Sequence, residues 1–327
     1  MTPVRWGILS TATINRRVLP ELRSLKDVEI VAVASRAQDA ADAFAAENGI
    51  PRAHGSYDAL LEDPDVEAIY NPLPNGLHVE WSVRALEAGK HVLCEKPLDR
   101  RPAAVERAFD AAQRNGLILM EAFMWRHHPQ TARAVELVAE GAIGELRAVR
   151  ASFGFTLADA GDVRAQGHLD GGSLMDVGCY CISAARRFAG EPEVAIGRQL
   201  PGLSGVDVRF AALLVFAGPV FAHFDCGFDV PPDSGLEVVG SAGTLRILTP
   251  FLITEPGIEL DRHGAVERLD VEPAGAYERQ FQNMSAAVRG DAQPLLGRED
   301  ALGQARTIDA LYRSADRDGE PVALTTS

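Results

Sequence analysis

Apolar and polar positions follow one rhythm through the first 122 residues and another after about residue 125. In the first stretch, short unbroken apolar runs alternate with segments that carry apolar residues on one helical face. The runs are VRWGIL (4–9), VEIVAVAS (28–35), EAIYN (67–71), HVLCE (91–95) and LILMEA (117–122). Between them lie TINRRVLPELRSL (13–25), AQDAADAFAAENG (37–49), LHVEWSVRALEAG (77–89) and a helical pattern over 101–115. Gly49 and Gly89 stop two of these helices. Strands that are apolar along their whole length must be covered on both faces. Alternation with helices therefore predicts an α/β domain, a doubly wound parallel sheet over 1–122.

Beyond residue 125 the spacing predicts a helix over Pro129 to Glu140, another over roughly 172–189, and two closing helices near 275–290 and 298–317. Strands dominate the rest, over 145–157, 193–199, 206–217, 219–229, 235–240 and 243–248. Long neighbouring strands joined by turn residues, as in FAGPVFAHF (216–224), predict a large, mostly antiparallel open sheet. The second domain is thus of the α+β type over 123–327, with its last helix a candidate to pack on the first domain. An open sheet leaves one face to cover. AALLVF (211–216) and PVFAHF (219–224) give that face apolar strands, which predicts a homodimer or homotetramer formed through the sheet.

Composition narrows the partners. A chain of 327 residues exceeds one hydrophobic core, in keeping with two domains. The net charge of −14, with no cluster of Lys and Arg, argues against nucleic acid and anionic membranes. No apolar run approaches the ~18 residues that span a bilayer. MTPVRWGIL leads directly into a strand pattern without the features of a signal peptide, and Cys94, Cys179, Cys181 and Cys226 lack zinc spacing. The expectation is a cytoplasmic protein with reduced thiols and no metal site.

Ligands of a doubly wound sheet bind at the carboxyl ends of its strands. The first such end, GILSTATIN (7–15), has Ser10, Ala12 and Asn15 where a dinucleotide fingerprint has glycines. Ser10 and Ala12 are small enough to let a pyrophosphate approach the helix N-terminus, and Ser10, Thr11 and Thr13 add hydroxyls, with Ile14 closing the loop. The second strand ends on Ser35 and Arg36 where an NAD site usually has a carboxylate. A hydroxyl followed by a guanidinium suits a 2′-phosphate, so NADP(H) is favoured over NAD(H). In YNPLPNGLH (70–78), Pro72 and Pro74 stiffen a turn through Leu73. Asn75 is either a helix N-cap or a contact to the nicotinamide ribose, and His78 lies just inside the next helix.

CEKP (94–97) ends an apolar strand on Glu95 and Lys96. A surface ion pair is a poor explanation for charges delivered by a buried strand. An ammonium beside a nicotinamide, in contrast, can polarise a carbonyl or stabilise an alkoxide. EKP, NPLPNGLH, MEAFMWRHHPQ (120–130) and GGSLMDVGCYCISAAR (171–186), in this order, resemble the glucose–fructose oxidoreductase/inositol dehydrogenase (Gfo/Idh/MocA) family over essentially the whole chain. WGILSTA is similar to the branch of dihydrodiol dehydrogenases and NADP-dependent aldose (xylose-type) 1-dehydrogenases.

The resemblance implies a Rossmann domain for 1–122 and a catalytic lysine, Lys96. It implies an acid/base tyrosine, Tyr180, in DVGCY, with Asp176 on the same helix face. Glu121, Trp125, Arg126 and His128 follow the last parallel strand. Arg126 is a cofactor candidate, and Glu121, Trp125 and His128 are substrate candidates. Trp125 is read equally as a sugar-stacking face or as packing. His168 either reaches the substrate or sits exposed in its Gly-rich loop. His127 stands where the family more often has an aromatic residue.

The implied activity is NADP-dependent hydride transfer to or from a sugar or polyol-like carbon, foremost an aldose 1-dehydrogenase. The alternatives are a trans-dihydrodiol dehydrogenase and a reductase of nucleotide-linked ketosugars, for which Arg147, Arg150 and Arg164 are diphosphate candidates. A non-catalytic NADP(H) sensor needs neither Lys96 nor Tyr180 and is disfavoured.

Overall fold

The computed structural model describes residues 2–159 and 161–324, and the chain divides into two compact units. One comprises Met1–Met124 with Gly275–Leu302, the other Trp125–Ala274 with Gly303–Ser327.

The first unit opens with β1 (Val4–Leu9), α1 (Asn15–Leu22), β2 (Val28–Ala34), α2 (Gln38–Asn48), β3 (Arg52–His54) and α3 (Tyr57–Leu61). It continues through β4 (Ala68–Asn71), α4 (His78–Glu87), β5 (His91–Glu95), α5 (Pro102–Asn115) and β6 (Leu119–Ala122). The six strands are parallel in the order β3-β2-β1-β4-β5-β6. Strand order reverses between β1 and β4, which opens the ligand crevice of a doubly wound sheet at their carboxyl ends. Gly49 and Gly116 end α2 and α5 in the left-handed conformation, where a side chain would be strained. The three residues of β3 are all half-exposed, so no apolar run marks this strand in the sequence.

The second unit begins with α6 (Pro129–Ala139) and β7 (Leu146–Thr156). A π-helical turn (Leu174–Gly178) then runs straight into α7 (Cys179–Ala189). The strands β8 (Pro192–Pro201), β9 (Asp207–Phe216), β10 (Phe221–Gly227), β11 (Asp229–Gly240), β12 (Thr244–Leu248), β13 (Gly257–Arg262) and β14 (Ala265–Leu269) follow. After α8 (Ala276–Arg289) and α9 (Arg298–Ala315), β15 (Val322–Ala323) completes a nine-stranded sheet in the order β14-β13-β12-β11-β7-β10-β9-β8-β15. It is antiparallel except for β7 against β10. The strand β14 was not legible because most of its side chains are exposed and it lacks an apolar face.

One face of this sheet carries Val149, Phe153, Phe210 and Leu214, all buried. The opposite face is only partly apolar. Phe221, Leu213 and Val215 lie on it, but across β7, β11 and β12 it carries an ionic ladder. Arg150 meets Glu237 at 3.3 Å, and Glu237 meets Arg246 at 2.7 Å.

The returning segment differs from the expected division. All of α8 and the start of α9 belong with the first unit, not with 123–274. Phe281 explains this: its ring lies 4.8 Å from that of Trp6 and 5.3 Å from that of Tyr70. Glu21 accepts hydrogen bonds from the N–H groups of Tyr277 (2.9 Å) and Glu278 (3.1 Å) at the start of α8. Arg289 at its end pairs with Glu67 at 2.9 Å. All four cysteine side chains are buried, and among the described residues no helix is long and apolar enough to cross a membrane.

Candidate active site

Ser10 follows β1 with φ of 120°, a backbone conformation that normally selects glycine. Its hydroxyl accepts the Ala12 N–H at 3.3 Å, and the fully buried Asn15 donates from Nδ2 to the Ser10 carbonyl at 2.9 Å. The loop thus has the backbone shape of the missing first glycine. It presents small side chains and the hydroxyls of Thr11 and Thr13 at the start of α1, with Ile14 as its N-cap. At the end of β2, the Ser35 N–H donates to the His54 carbonyl at 3.0 Å, and Arg36 is exposed. Burial pushes the Tyr57 hydroxyl up, while the nearby Arg36 guanidinium opposes the shift. A guanidinium and two hydroxyl groups therefore share this strand end, a donor set suited to a phosphate.

At the end of β4, Asn71 is fully buried. It donates to the His78 carbonyl (3.1 Å) and to Ser82 Oγ (3.2 Å), and it accepts the Leu73 N–H at 3.3 Å. This pins Pro72 and Leu73, both buried, and leaves Asn75 half-exposed in a short 3-10 turn (Asn75–Leu77). His78 lies inside the unit, with its ring nitrogens 2.8 Å from the Pro97 carbonyl and 2.7 Å from that of Leu73. Burial pushes its pKa down to about 4, and the carbonyl contacts oppose this.

Lys96 follows β5 and is half-exposed. Glu95 before it accepts the Tyr70 hydroxyl at 2.7 Å. Glu121 on β6 is 1% exposed, and its Oε1 accepts the Leu98 N–H at 2.7 Å. The turn carrying Lys96 is therefore held on one side by His78 and on the other by Glu121. Both are braces from within the unit. These candidates of the first unit cluster at the carboxyl ends of its parallel strands.

In the second unit, Asp176 sits on the π-helical turn and Tyr180 just beyond it. Asp176 accepts from Arg164 Nε at 2.9 Å. Arg164 also meets Asp162 at 3.2 Å, and the Asp176 charge holds its guanidinium above the ordinary range. The Tyr180 ring is flanked by Phe153 at 5.4 Å and Phe251 at 5.5 Å.

The remaining candidates precede α6 or the π-helical turn. Trp125 is buried with its ring edge-to-face on Phe251 at 5.6 Å, in line with the packing alternative. His128 caps α6: its Nδ1 accepts the Gln130 N–H at 3.0 Å, and its Nε2 lies 3.1 Å from the Ala274 carbonyl. Arg126 donates to Ser183 Oγ at 3.3 Å on α7, and His168 is exposed. Asn71 and Phe251 escaped the sequence reading. An amide closing an apolar strand was the available signal for Asn71, but nothing in its spacing marked Phe251.

Residues 4–123 match the family model described as "Oxidoreductase family, NAD-binding Rossmann fold", and residues 131–246 match the "GFO/IDH/MocA C-terminal domain". A D-xylose 1-dehydrogenase (NADP(+)) of Haloferax volcanii is 39% identical over 317 residues, covering 95% of this chain and 97% of that protein. A dTDP-3,4-didehydro-2,6-dideoxy-alpha-D-glucose 3-reductase of Actinomadura kijaniata is 38% identical over 322 residues, covering 97% and 96%. The crystal structure of a 3-ketoreductase from Actinomadura kijaniata with NADP and TDP-benzene matches with a TM-score of 0.90 at 37% identity, covering 95% and 98% of the two chains.

Proposed function

Because the chain belongs to the Gfo/Idh/MocA family of oxidoreductases, we propose that it transfers a hydride between NADP(H) and a sugar carbon, acting as a free-aldose 1-dehydrogenase. NADP(H) is supported by the Ser10 turn and by Ser35 and Arg36 at the end of β2. These residues would hold the pyrophosphate and the 2′-phosphate. Bound there, the nicotinamide supplies the hydride acceptor or donor.

The observation that favours a free sugar is the pairing of the arginines. A nucleotide-linked sugar carries a diphosphate and needs cations to meet it. Arg164 is engaged by Asp162 and Asp176, Arg147 by Glu145 at 2.8 Å, and Arg150 by Glu237. Arg150 also projects from the sheet face opposite Phe153, the residue that touches Tyr180, since side chains alternate along β7.

In the proposed oxidation, Tyr180 acts as its phenolate, which takes the proton of the substrate hydroxyl and becomes the phenol as the hydride leaves to the nicotinamide. Lys96 favours negative charge on the reacting oxygen. Asp176, oriented by Arg164, accepts from a neighbouring sugar hydroxyl. Phe153 and Phe251 keep water from the Tyr180 ring.

Similarity to the Actinomadura 3-reductase supports a second reading, reduction of a nucleotide-linked ketosugar. Reduced-nicotinamide absorbance with D-xylose, D-glucose, a trans-dihydrodiol and a dTDP-linked ketosugar separates the readings. Turnover of xylose or glucose with NADP+ supports the first. Turnover of only the dTDP-sugar overturns it. Lys96→Met and Tyr180→Phe should each lower kcat at least a hundredfold while NADPH still binds.

We also infer a homodimer or homotetramer formed through the partly apolar open sheet face, where Phe221 is 47% exposed. A monomer by light scattering at micromolar concentration contradicts this. The buried thiols suit a reducing, cytoplasmic setting.

A further inference from the structure

The helical segment that carries Asp176 and Tyr180 begins against a buried carboxylate from another element. Asp207, the first residue of β9, is 2% exposed. Its Oδ2 accepts two hydrogen bonds, from the Ser173 hydroxyl and the Leu174 N–H, both at 2.7 Å. Its Oδ1 accepts the Tyr312 hydroxyl at 2.8 Å. Ser173 and Leu174 open the π-helical turn, so the carboxylate answers an N–H at a helix start and meets the positive end of its dipole.

The surroundings are shaped to this contact. Gly172 has φ of 124°, and a Cβ there would lie 2.3 Å from Asp207 Oδ1. A Cβ at Gly178 would lie 2.7 Å from Cys226 Sγ on β10. The turn is therefore pressed onto the sheet at both ends, and glycine is needed at both points. Beyond it, the buried Gln304 donates from Nε2 to the Cys179 carbonyl at 2.7 Å, where the π turn hands over to α7. π-Helical turns displace side chains from α-helical register and recur at functional sites. Such a turn holds its register only if its ends are fixed.

We propose that Asp207 is a positioning residue: by fixing the first turn through Ser173 and Leu174, it sets the direction in which Asp176 and Tyr180 are presented to the substrate. The inference rests on the functional reading of Asp176 and Tyr180 above. A carboxylate is acceptor-only and matches three converging donors. An alanine leaves a gap, whereas an asparagine can keep its oxygen on Ser173 and Leu174 and turn its amide toward the Tyr312 oxygen.

Hydrogen exchange and turnover of D-xylose and of its 1-deuterated form, both with NADP+, test this in Asp207→Ala and Asp207→Asn. In Asp207→Ala, amide protection over 174–180 should fall at least tenfold while the first unit stays protected. The kcat should fall at least tenfold, NADPH should bind with wild-type stoichiometry, and the deuterium isotope effect on kcat should grow. Loss of folded molecules alone would leave that isotope effect unchanged. Asp207→Asn should recover most of the loss. Wild-type kcat and isotope effect in Asp207→Ala overturn the proposal, whatever the exchange shows. If Asp207→Ala does not fold, the double variant Ser173→Ala/Tyr312→Phe decides: a kcat fall of threefold or more supports the role, and wild-type kcat overturns it. Failure of the underlying reading looks different, because Tyr180→Phe and Asp176→Asn would then retain wild-type turnover, or xylose would not react at all.

Discussion

Nδ1 of His78 lies 2.8 Å from the carbonyl oxygen of Pro97, and its other ring nitrogen reaches the Leu73 carbonyl. One buried side chain thus ties the turn after β4 to the turn that carries Lys96. The neutral ring carries one N–H, so replacing it with leucine removes one donor from these buried carbonyls. His78→Leu should cost about 1–3 kcal/mol of stability, read from urea unfolding.

The same residue makes stability depend on pH. Its pKa falls from the ordinary 6.5 to about 4 on folding, because burial disfavours the imidazolium. Between these values the unfolded chain binds a proton that the folded chain refuses. Stability is therefore full above pH 6.5 and declines as pH falls toward 4. The His78 share of the loss between pH 7 and pH 5 is about 2 kcal/mol. Urea midpoints at the two pH values should differ less in His78→Gln than in the wild type.

Ser10 occupies a glycine conformation with a side chain, and its hydroxyl repays part of that strain through Ala12. Ser10→Ala keeps the strain and loses the hydrogen bond. Ser10→Gly loses the bond and removes strain of roughly 1–3 kcal/mol. Thermal unfolding should rank glycine above alanine at this position. The reverse order would show that the turn is unstrained.

Arg36 should decide cofactor preference. Arg36→Ala is expected to weaken NADP+ binding tenfold or more and NAD+ binding less than threefold, measured by fluorescence titration. The NADP+ loss should shrink as salt is raised, since an exposed charge contact is screened.

Phe281 is fully buried between Trp6 and Tyr70. Phe281→Ala should cost about 3–5 kcal/mol, with tryptophan emission reporting a looser first unit.

The parallel half of the chain was readable because each strand there is buried on both faces and announces itself as an apolar run. The turns at the strand ends were readable for a related reason. Ser10, Arg36 and Lys96 interrupt apolar runs at places where packing does not require them. His78, Glu121 and His128 are harder to read, because a polar residue near a strand end looks the same in sequence whether it faces a ligand or braces a loop. Only burial and partners separate the two. Asp207 shows the converse: an acid opening the strand DVRFAALLVF reads as a boundary, and its three donors come from sequence positions 33, 34 and 105 residues away. Strand β14 was hidden by its polarity, and the return of α8 by the fact that Phe281 pairs with residues some 200 or more positions earlier.

That return means that the order of synthesis and the order of folding diverge. When Met124 leaves the ribosome, the parallel sheet is complete in sequence, yet the rings of Trp6 and Tyr70 still lack their cover. About 150 residues of another unit must be made before Phe281 arrives. A nascent chain stalled in that interval displays an aromatic surface of the kind chaperones hold, and the finished protein buries it.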